Sequence, residues 1–386
     1  MHDSSPLSAI NMEKTRIKYF CFHGDHSHGE NRNNSPAADS KVDYIVSALN
    51  RCGYGVDIIS RQVTDNLFSL GGKRAEGQNT IRFFVNFGKL RRLTGWLTTL
   101  VFFVWCLLNI KRNETVIIYH SLGYSSVFLK LRKIINFRII GEIEEIYHDV
   151  SLKSSEFIYN ENKFIELCDA YIMPTILLND KINPANKPFC IIHGIYSITT
   201  EYKFDTIDDL THIIYAGTLD PDKGGAEAAI QSAEFLSSNY HVHICGFGSK
   251  EIVEKTTELC DIVSKKGGAL VSYDGLYSGV DFEKKLQQCT IGLSTQNPDA
   301  AFNDTSFPSK ILVYLSNGLK VVTVKIPVVE TSDVNRAVTY YNHQTPSEIA
   351  EAIEKARALK SESAKELLSS LDKQFCENIN NLINTL

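Results

Sequence analysis

The chain has 386 residues, 43% hydrophobic and 22% charged, with a formal net charge of −5. That length and balance predict two or more globular domains, each with its own core, and exclude a fibrous or wholly disordered protein. The charge makes no general case for nucleic acid, but it is uneven: residues 1–205 hold 24 Lys and Arg against 21 Asp and Glu (+3), and residues 206–386 hold 16 against 24 (−8).

The amino-terminal stretch lacks a basic start followed by an apolar run, so no leader peptide is expected and a cytoplasmic location is. Met12 is an alternative start, and residues 1–11 are expected to be disordered. Nine cysteines are scattered singly, without a C-x-x-C pair. They argue for a reducing compartment and against a zinc site or a disulfide framework.

Short apolar runs alternate with amphipathic helical stretches, the pattern of α/β domains with parallel sheets. The first half predicts strands at Ile17–Phe22, Gly55–Ser60, Thr115–Tyr119, Arg138–Ile143 and Ala170–Met173. His23 and Gly24 follow the first of these. With His26 and His28 they make H-x-x-H-x-H, read as a polar loop rather than a metal site. LTGWLTTLVFFVWCLLNI (93–110) is uncharged and flanked between residues 80 and 140 by ten Lys and Arg against one acid, Glu114. A spanning helix there would tear the first sheet apart, because strand Thr115–Tyr119 follows almost at once. Trp96, Trp105 and the basic flanks predict a helix lying on an anionic membrane surface; a helix packed on the sheet is the plainer alternative. GEIEEIYHD (141–149) places Glu142, Glu144 and Glu145 near a strand end, as an acceptor-binding acidic face or as ordinary surface charge.

After a polar linker at 199–210, the second half predicts strands His212–Tyr215, Tyr240–Cys245, Leu270–Tyr273, Thr290–Leu293 and Leu319–Val324, and residues 356–386 read as helix. Ligands of open α/β sheets bind beyond the carboxyl ends of strands. Three segments there draw notice: AGTLDPDKGG (216–225) with Lys223, GFGSKE (246–251), and NPDAAFNDTSFPSK (297–310). In the last, Pro308 at the first helical position, Ser309 and Lys310 open a helix ended by Gly318. Helix starts leave N–H groups unpaired and favour anions, and a lysine there opposes the helix dipole unless something negative is near. Taken singly, Gly246 and Gly248 also fit a simple turn, and Lys223 a solvated charge.

YAGTLDPDKGG (215–225), HICGFGS (243–249), VSYDGLYS (271–278) and FPSKILVYLSNGLKVV (307–322) together resemble the donor-binding domain of retaining glycosyltransferases of family four, especially bacterial surface-polysaccharide enzymes. GEIEEIYHD and SPAADSKVDYI (35–45) are similar to the same enzymes less specifically. The resemblance implies a GT-B fold of two Rossmann-like domains facing a central cleft. It places an acceptor domain at 1–200, a nucleotide-sugar donor domain at 201–360, and a C-terminal helix at 361–386 packing back on the first domain.

The implied reaction moves a sugar, with retention, from a nucleotide-diphosphate donor to a lipid-linked glycan in surface polysaccharide or lipopolysaccharide synthesis. UDP is favoured over GDP, and the place of work is the inner face of the cytoplasmic membrane. The donor residues implied are Gly217, Thr218, Gly246, Phe247, Asp304, Thr305, Pro308, Ser309 and Lys310. Lys223, Lys310 and Glu144 are placed at the chemistry, and His23, Gly24, Glu142 and Glu145 on the acceptor side. No metal and no cofactor are expected, the nucleotide sugar being a substrate; Asp220 and Asp222 form a D-x-D that reads as turn chemistry. Two family glutamates are replaced by Thr305 and Val313, and a family arginine by Thr218. Asp304 or Asn303 is left to serve the donor sugar, and Val313 is expected to be core. These departures keep open a degenerate nucleotide- or glycan-binding partner protein, and a sugar-nucleotide epimerase is the other alternative.

Overall fold

The computed structural model describes residues 15–24, 36–64, 66–150, 153–204, 208–221, 224–359 and 364–386. The expectations for residues 1–11, His26, His28, Asp222 and Lys223 lie outside them. Two compact units are present. One comprises Met1–Glu142, Glu156–Tyr171 and Cys376–Leu386, and the other Ile143–Ser155 and Ile172–Phe375.

The first sheet is built from β1 (Arg16–Cys21), β2 (Gly55–Ser60), β3 (Gly72–Glu76), β4 (Asn79–Phe83), β5 (Thr115–Tyr119), β6 (Arg138–Glu142), β7 (Ala170–Met173) and β8 (Phe189–Ile191). Its order is β3-β4-β2-β1-β5-β6-β7-β8. The β1/β2, β1/β5, β2/β4 and β5/β6 pairs are parallel, and β3/β4 is an antiparallel hairpin. The helices up to β8 are α1 (Pro36–Arg51), α2 (Arg91–Asn109), α3 (Leu122–Leu131), α4 (Tyr147–Val150), α5 (Ser155–Leu167) and α6 (Ile176–Ile182), of which α4 and α6 belong to the second unit. The run at 93–110 is thus one helix, α2. It docks through Phe102, Cys106 and Ile110, all buried, and Phe102 meets Phe84 edge-on at 5.0 Å and Phe20 at 6.0 Å. Edge-to-face contacts of this kind add to what area burial alone contributes.

The second sheet contains β9 (Thr211–Thr218), β10 (Tyr240–Phe247), β11 (Leu270–Gly275), β12 (Ile291–Ser294), β13 (Lys320–Val324) and β14 (Val338–Tyr341), in the order β11-β10-β9-β12-β13-β14 with parallel pairs throughout. It is accompanied by α7 (Gly225–Ser232), α8 (Lys250–Ser264), α9 (Gly279–Gln287), α10 (Lys310–Ser316), α11 (Pro327–Glu330), α12 (Pro346–Ala358) and α13 (Ala364–Thr385). The winding reverses between β9 and β12, the position at which doubly wound sheets open a crevice.

The opening is visible in the hydrogen bonds. β9 and β12 pair at Ile213↔Ile291 and Ile214↔Gly292. Beyond that point the Tyr314 hydroxyl of α10 fills the gap, accepting from the Ala216 N–H (2.9 Å) and donating to the Leu293 carbonyl (3.2 Å). Its ring lies on Gly292, where a Cβ would fall 2.4 Å from it. Buried backbone groups need partners, and one phenol serves two of them. Tyr314→Phe keeps the ring and strands both groups, so we expect a loss of about 1–3 kcal/mol, the cost of leaving buried polar groups unpaired. It will be read as a lower urea midpoint with circular dichroism unchanged.

Candidate functional site

The three segments singled out at strand ends meet at the end of β9. Gly246, at φ +153°, is in register with Gly217, and a Cβ on Gly246 would lie 1.8 Å from the Gly217 carbonyl oxygen. Only glycine allows the two backbones to close in this way. A Cβ on Gly217 would lie 3.1 Å from the Lys310 ammonium, which sits 4.2 Å from the centroid of the Tyr215 ring. Lys310 is therefore held over an aromatic face beside a bare backbone, a cation–π arrangement. Thr218 and Phe247 pair in register at the sheet rim and are exposed, and the Tyr273 hydroxyl donates to the Gly246 carbonyl at 2.9 Å.

The turn after β9 is pinned on two sides. The Thr295 hydroxyl donates to the Gly225 carbonyl (2.7 Å), and the Gln344 amide to the Gly224 carbonyl (3.2 Å). The Gly224 N–H donates to the Asp220 carbonyl at 3.2 Å, so Asp220 contributes backbone to this turn.

The segment before α10 is ordered from within. Asn303, 2% exposed, donates to the Asn297 and Pro298 carbonyls at 2.7 and 2.9 Å and accepts from Gln296 at 2.6 Å. Its amide is thus spent on the loop and does not serve as a sugar contact. Thr305 is buried, its carbonyl accepting from the Thr175 hydroxyl at 2.8 Å, while Asp304 is exposed. α10 starts at Lys310 with Ser309 at its cap, two residues later than the sequence suggests, because the first turn bonds Ile311 N–H to the Pro308 carbonyl at 3.0 Å. Gly318, at φ +81°, ends it as expected. The Ser294 and Ser306 hydroxyls are buried without a hydrogen-bond partner among the described residues. Val313 corrects an expectation: it is 36% exposed, on the outer face of α10 opposite buried Leu312 and Tyr314.

In the first unit His23 is buried. Its Nε2 lies 2.9 Å from Asp43, and its backbone exchanges hydrogen bonds with the Ser60 hydroxyl at 3.1 and 2.9 Å. Burial pushes the imidazole down, but the Asp43 bond and the nearby carboxylates outweigh it and raise it overall. The Gly24 N–H donates to Asp39 at 3.1 Å. Glu142, 1% exposed, accepts from the Tyr19 hydroxyl and belongs to the core of β6. The expected strand to Ile143 stops at Glu142, and Glu144 and Glu145 sit half-buried in the coil that follows. The three glutamates therefore do not form one acidic strand face.

Sequence reasoning passed over His193. It is buried, with Nδ1 donating to the Pro174 carbonyl (2.7 Å), Nε2 lying 3.3 Å from both the backbone nitrogen and the carboxylate of Asp333, and its ring stacked on Phe307 at 4.9 Å. A Cβ on the next residue, Gly194, would fall 2.8 Å from Leu312 of α10. This pair buttresses the approach to Pro308, and its one sequence signal is His-Gly directly after a short apolar strand.

No family model matches the chain, and no curated protein matches it significantly. Solved structures do. Sucrose-phosphate synthase from Thermosynechococcus elongatus has a TM-score of 0.67 at 13% identity, covering 96% of this chain and 99% of that one. α,α-Trehalose 6-phosphate synthase from Burkholderia multivorans has 0.65 at 10% identity, covering 95% of each. The Escherichia coli trehalose-6-phosphate protein bound to UDP-2-fluoroglucose has 0.64 at 14% identity, covering 96% and 98%. The fold is accordingly GT-B, with two parallel-sheet α/β units. These neighbours are trehalose- and sucrose-phosphate synthases, not surface-polysaccharide enzymes, so the finer resemblance to family four does not follow from the fold.

Lys310→Ala should weaken binding of UDP by about 1.5–3 kcal/mol, the range of a charge-assisted hydrogen bond, with the fold intact; titration calorimetry measures it. Val313→Glu, on an exposed face, should leave stability within about 0.5 kcal/mol, and a urea titration distinguishes this from the large loss a core site would show.

Proposed function

We propose that the chain is a retaining glycosyltransferase that uses a nucleotide-diphosphate sugar, UDP-linked in preference to GDP-linked. The observation that supports this most directly is the Lys310 ammonium held beside Gly217, at the switch crevice of a GT-B sheet. As the glycosidic bond stretches toward an oxocarbenium-like state, negative charge develops on the departing diphosphate. Lys310 and the N–H groups opening α10 offer that charge a cation and donors, and the Gly217–Gly246 contact keeps the strand ends low enough for phosphate to approach. Lys223, which follows β9 in sequence, is assigned the same task. The chemistry so assigned needs no metal at this crevice. Of Asp304 and Asn303, the exposed Asp304 is the one we assign to the donor sugar, and Thr305 and Val313 leave the ribose to other contacts.

The acceptor we propose is a lipid-linked saccharide in surface-polysaccharide synthesis, reached from the inner face of the cytoplasmic membrane. α2 supports this. Trp96, Leu100 and Leu108 are 69, 50 and 77% exposed, and Leu97, Val101 and Val104 continue the same apolar stripe opposite the docked face. No helix among the described residues is long and apolar enough to cross a membrane, so α2 would lie in the interface. Lys111, Arg112, Lys130, Lys133 and Arg138 are exposed nearby in sequence. Arg132 leaves that basic set, because it makes a two-bonded pair with Asp169 at 2.9 Å each. The side chains of Lys89, Arg91 and Arg92 lie outside the described ones.

UDP-sugars should raise the melting temperature more than GDP-sugars, since ligand at 100 times its Kd adds about 2.7 kcal/mol, and the stabilising sugar should be transferred to a membrane-extracted glycan lipid. Binding without turnover on any acceptor would leave the non-catalytic partner protein. Transfer to glucose-6-phosphate, which a Burkholderia xenovorans trehalose-phosphate synthase neighbour holds, would replace the lipid acceptor. The protein should also float with anionic liposomes at low salt and be released at high salt; failure to float removes the membrane from the proposal.

A further inference from the structure

Three imidazoles converge on one face of the second sheet, at the amino-terminal side of its strands. His212 lies on β9, and His241 and His243 lie two residues apart on β10, so both point to the same face. The register places His241 beside His212. One ring nitrogen from each histidine lies within 4.8 Å of the others, and the His241 and His243 ring centroids are 3.8 Å apart.

The second nitrogen of every ring is held by an oxygen. His212 Nε2 lies 3.0 Å from Asp208, His243 Nδ1 2.7 Å from Asp274, and His241 Nε2 2.8 Å from the Ser272 hydroxyl, which itself donates to Asp274 at 2.5 Å. An imidazole whose far N–H is fixed by a carboxylate or hydroxyl turns a lone pair toward the centre, the outer-shell pattern of metal-ligating histidines. His212 Nδ1 and His243 Nε2 face each other at 2.9 Å. Two lone pairs at that distance repel unless a cation lies between them. The Lys285 ammonium also lies 3.1 Å from His243 Nδ1, on the side away from the centre. Lys285 is itself paired with Asp274 at 2.7 Å.

We propose that His212 Nδ1, His241 Nδ1 and His243 Nε2 bind a divalent transition metal of the zinc class, with water as the fourth ligand. Zinc–nitrogen bonds of about 2.0–2.1 Å set tetrahedral ligand nitrogens roughly 3.3 Å apart, so the facing pair must open by only a few tenths of an ångström. His212, His243 and Asp274 side chains are 14, 7 and 15% exposed, which leaves an entry path beside His212. The site lies five strand residues, or about 16 Å at ~3.3 Å per residue, before Gly217. The ion therefore ties β9 to β10 and, through Asp274 and Ser272, to β11, and takes no part in chemistry at the switch crevice. Sequence reasoning missed it because His212 is remote from the H-x-H of β10, and only the sheet register brings them together.

The test is titration of the full-length, chelator-treated protein with Co2+, followed by displacement with Zn2+. One equivalent should bind with the visible absorption of a tetrahedral ion, and Zn2+ should abolish that absorption and raise the melting temperature. His241→Gln and His243→Gln should each remove it, and Asp274→Asn should weaken affinity 10–100-fold. Weak, non-stoichiometric binding, or binding unchanged in both glutamine variants, would overturn the proposal. If His243→Gln does not fold, His241→Gln, at a half-exposed ring, decides the matter alone.

Discussion

The second unit depends on one phenol. Two strands that begin as hydrogen-bonded neighbours must part if a parallel sheet is to admit a ligand, and parting strands leave an N–H and a carbonyl with nothing to bond. Tyr314 resolves that conflict by reaching from α10 into the opening and taking both. The same residue fixes where α10 starts, because its ring is seated on Gly292 and cannot slide. Lys310 lies one helical turn before Tyr314, so the position of its ammonium over Tyr215 follows from the packing of the phenol. The crevice and the charge beside it are thus set by one buried contact.

Charge in this molecule is mostly spoken for locally. Arg16 is committed to Asp57, Arg132 to Asp169 and Lys285 to Asp274, each at 2.6–2.9 Å. Each such pair removes one charge of either sign, so the +3 surplus of the first half is carried by the remaining charges. What stands out is the conjunction of exposed lysines and arginines with the bare apolar stripe of α2. Apolar area and charge on one helix flank reinforce each other at a lipid interface, whereas either alone is common on soluble proteins.

Most of the sheet framework was legible in the sequence because buried parallel strands are continuous apolar runs: Gly55–Ser60, Thr115–Tyr119 and Ala170–Met173 are observed with the expected ends. The β3–β4 hairpin was not, since GKRAE at the sheet edge is exposed at nearly every position and carries no apolar signal. β8 escaped for want of length, and β14, VTYY, is buried only at alternate positions and so lacks a continuous apolar run. At the site, Gly217, Gly246 and Lys310 were found by position at strand ends. Other roles were not legible, because burial decides them: Asn303 serves its own loop, Glu142 the core of the first unit, and Val313 faces out. A one-dimensional pattern marks where backbone bends, but not which polar group is already satisfied.

The discontinuity of the first unit bears on how the chain is made. Cys376–Leu386, the last eleven residues, belong to that unit, where Ile379 and Leu382 are buried and the Tyr54 hydroxyl meets Asn380 at 3.1 Å. Domains generally form as units from the amino end as a chain is made, yet this first unit includes a segment that follows the whole of the second in sequence. The second unit ends at Phe375. Loss of the segment from Cys376 onward would thus take the buried Ile379 and Leu382 from the first unit while leaving every residue of the second.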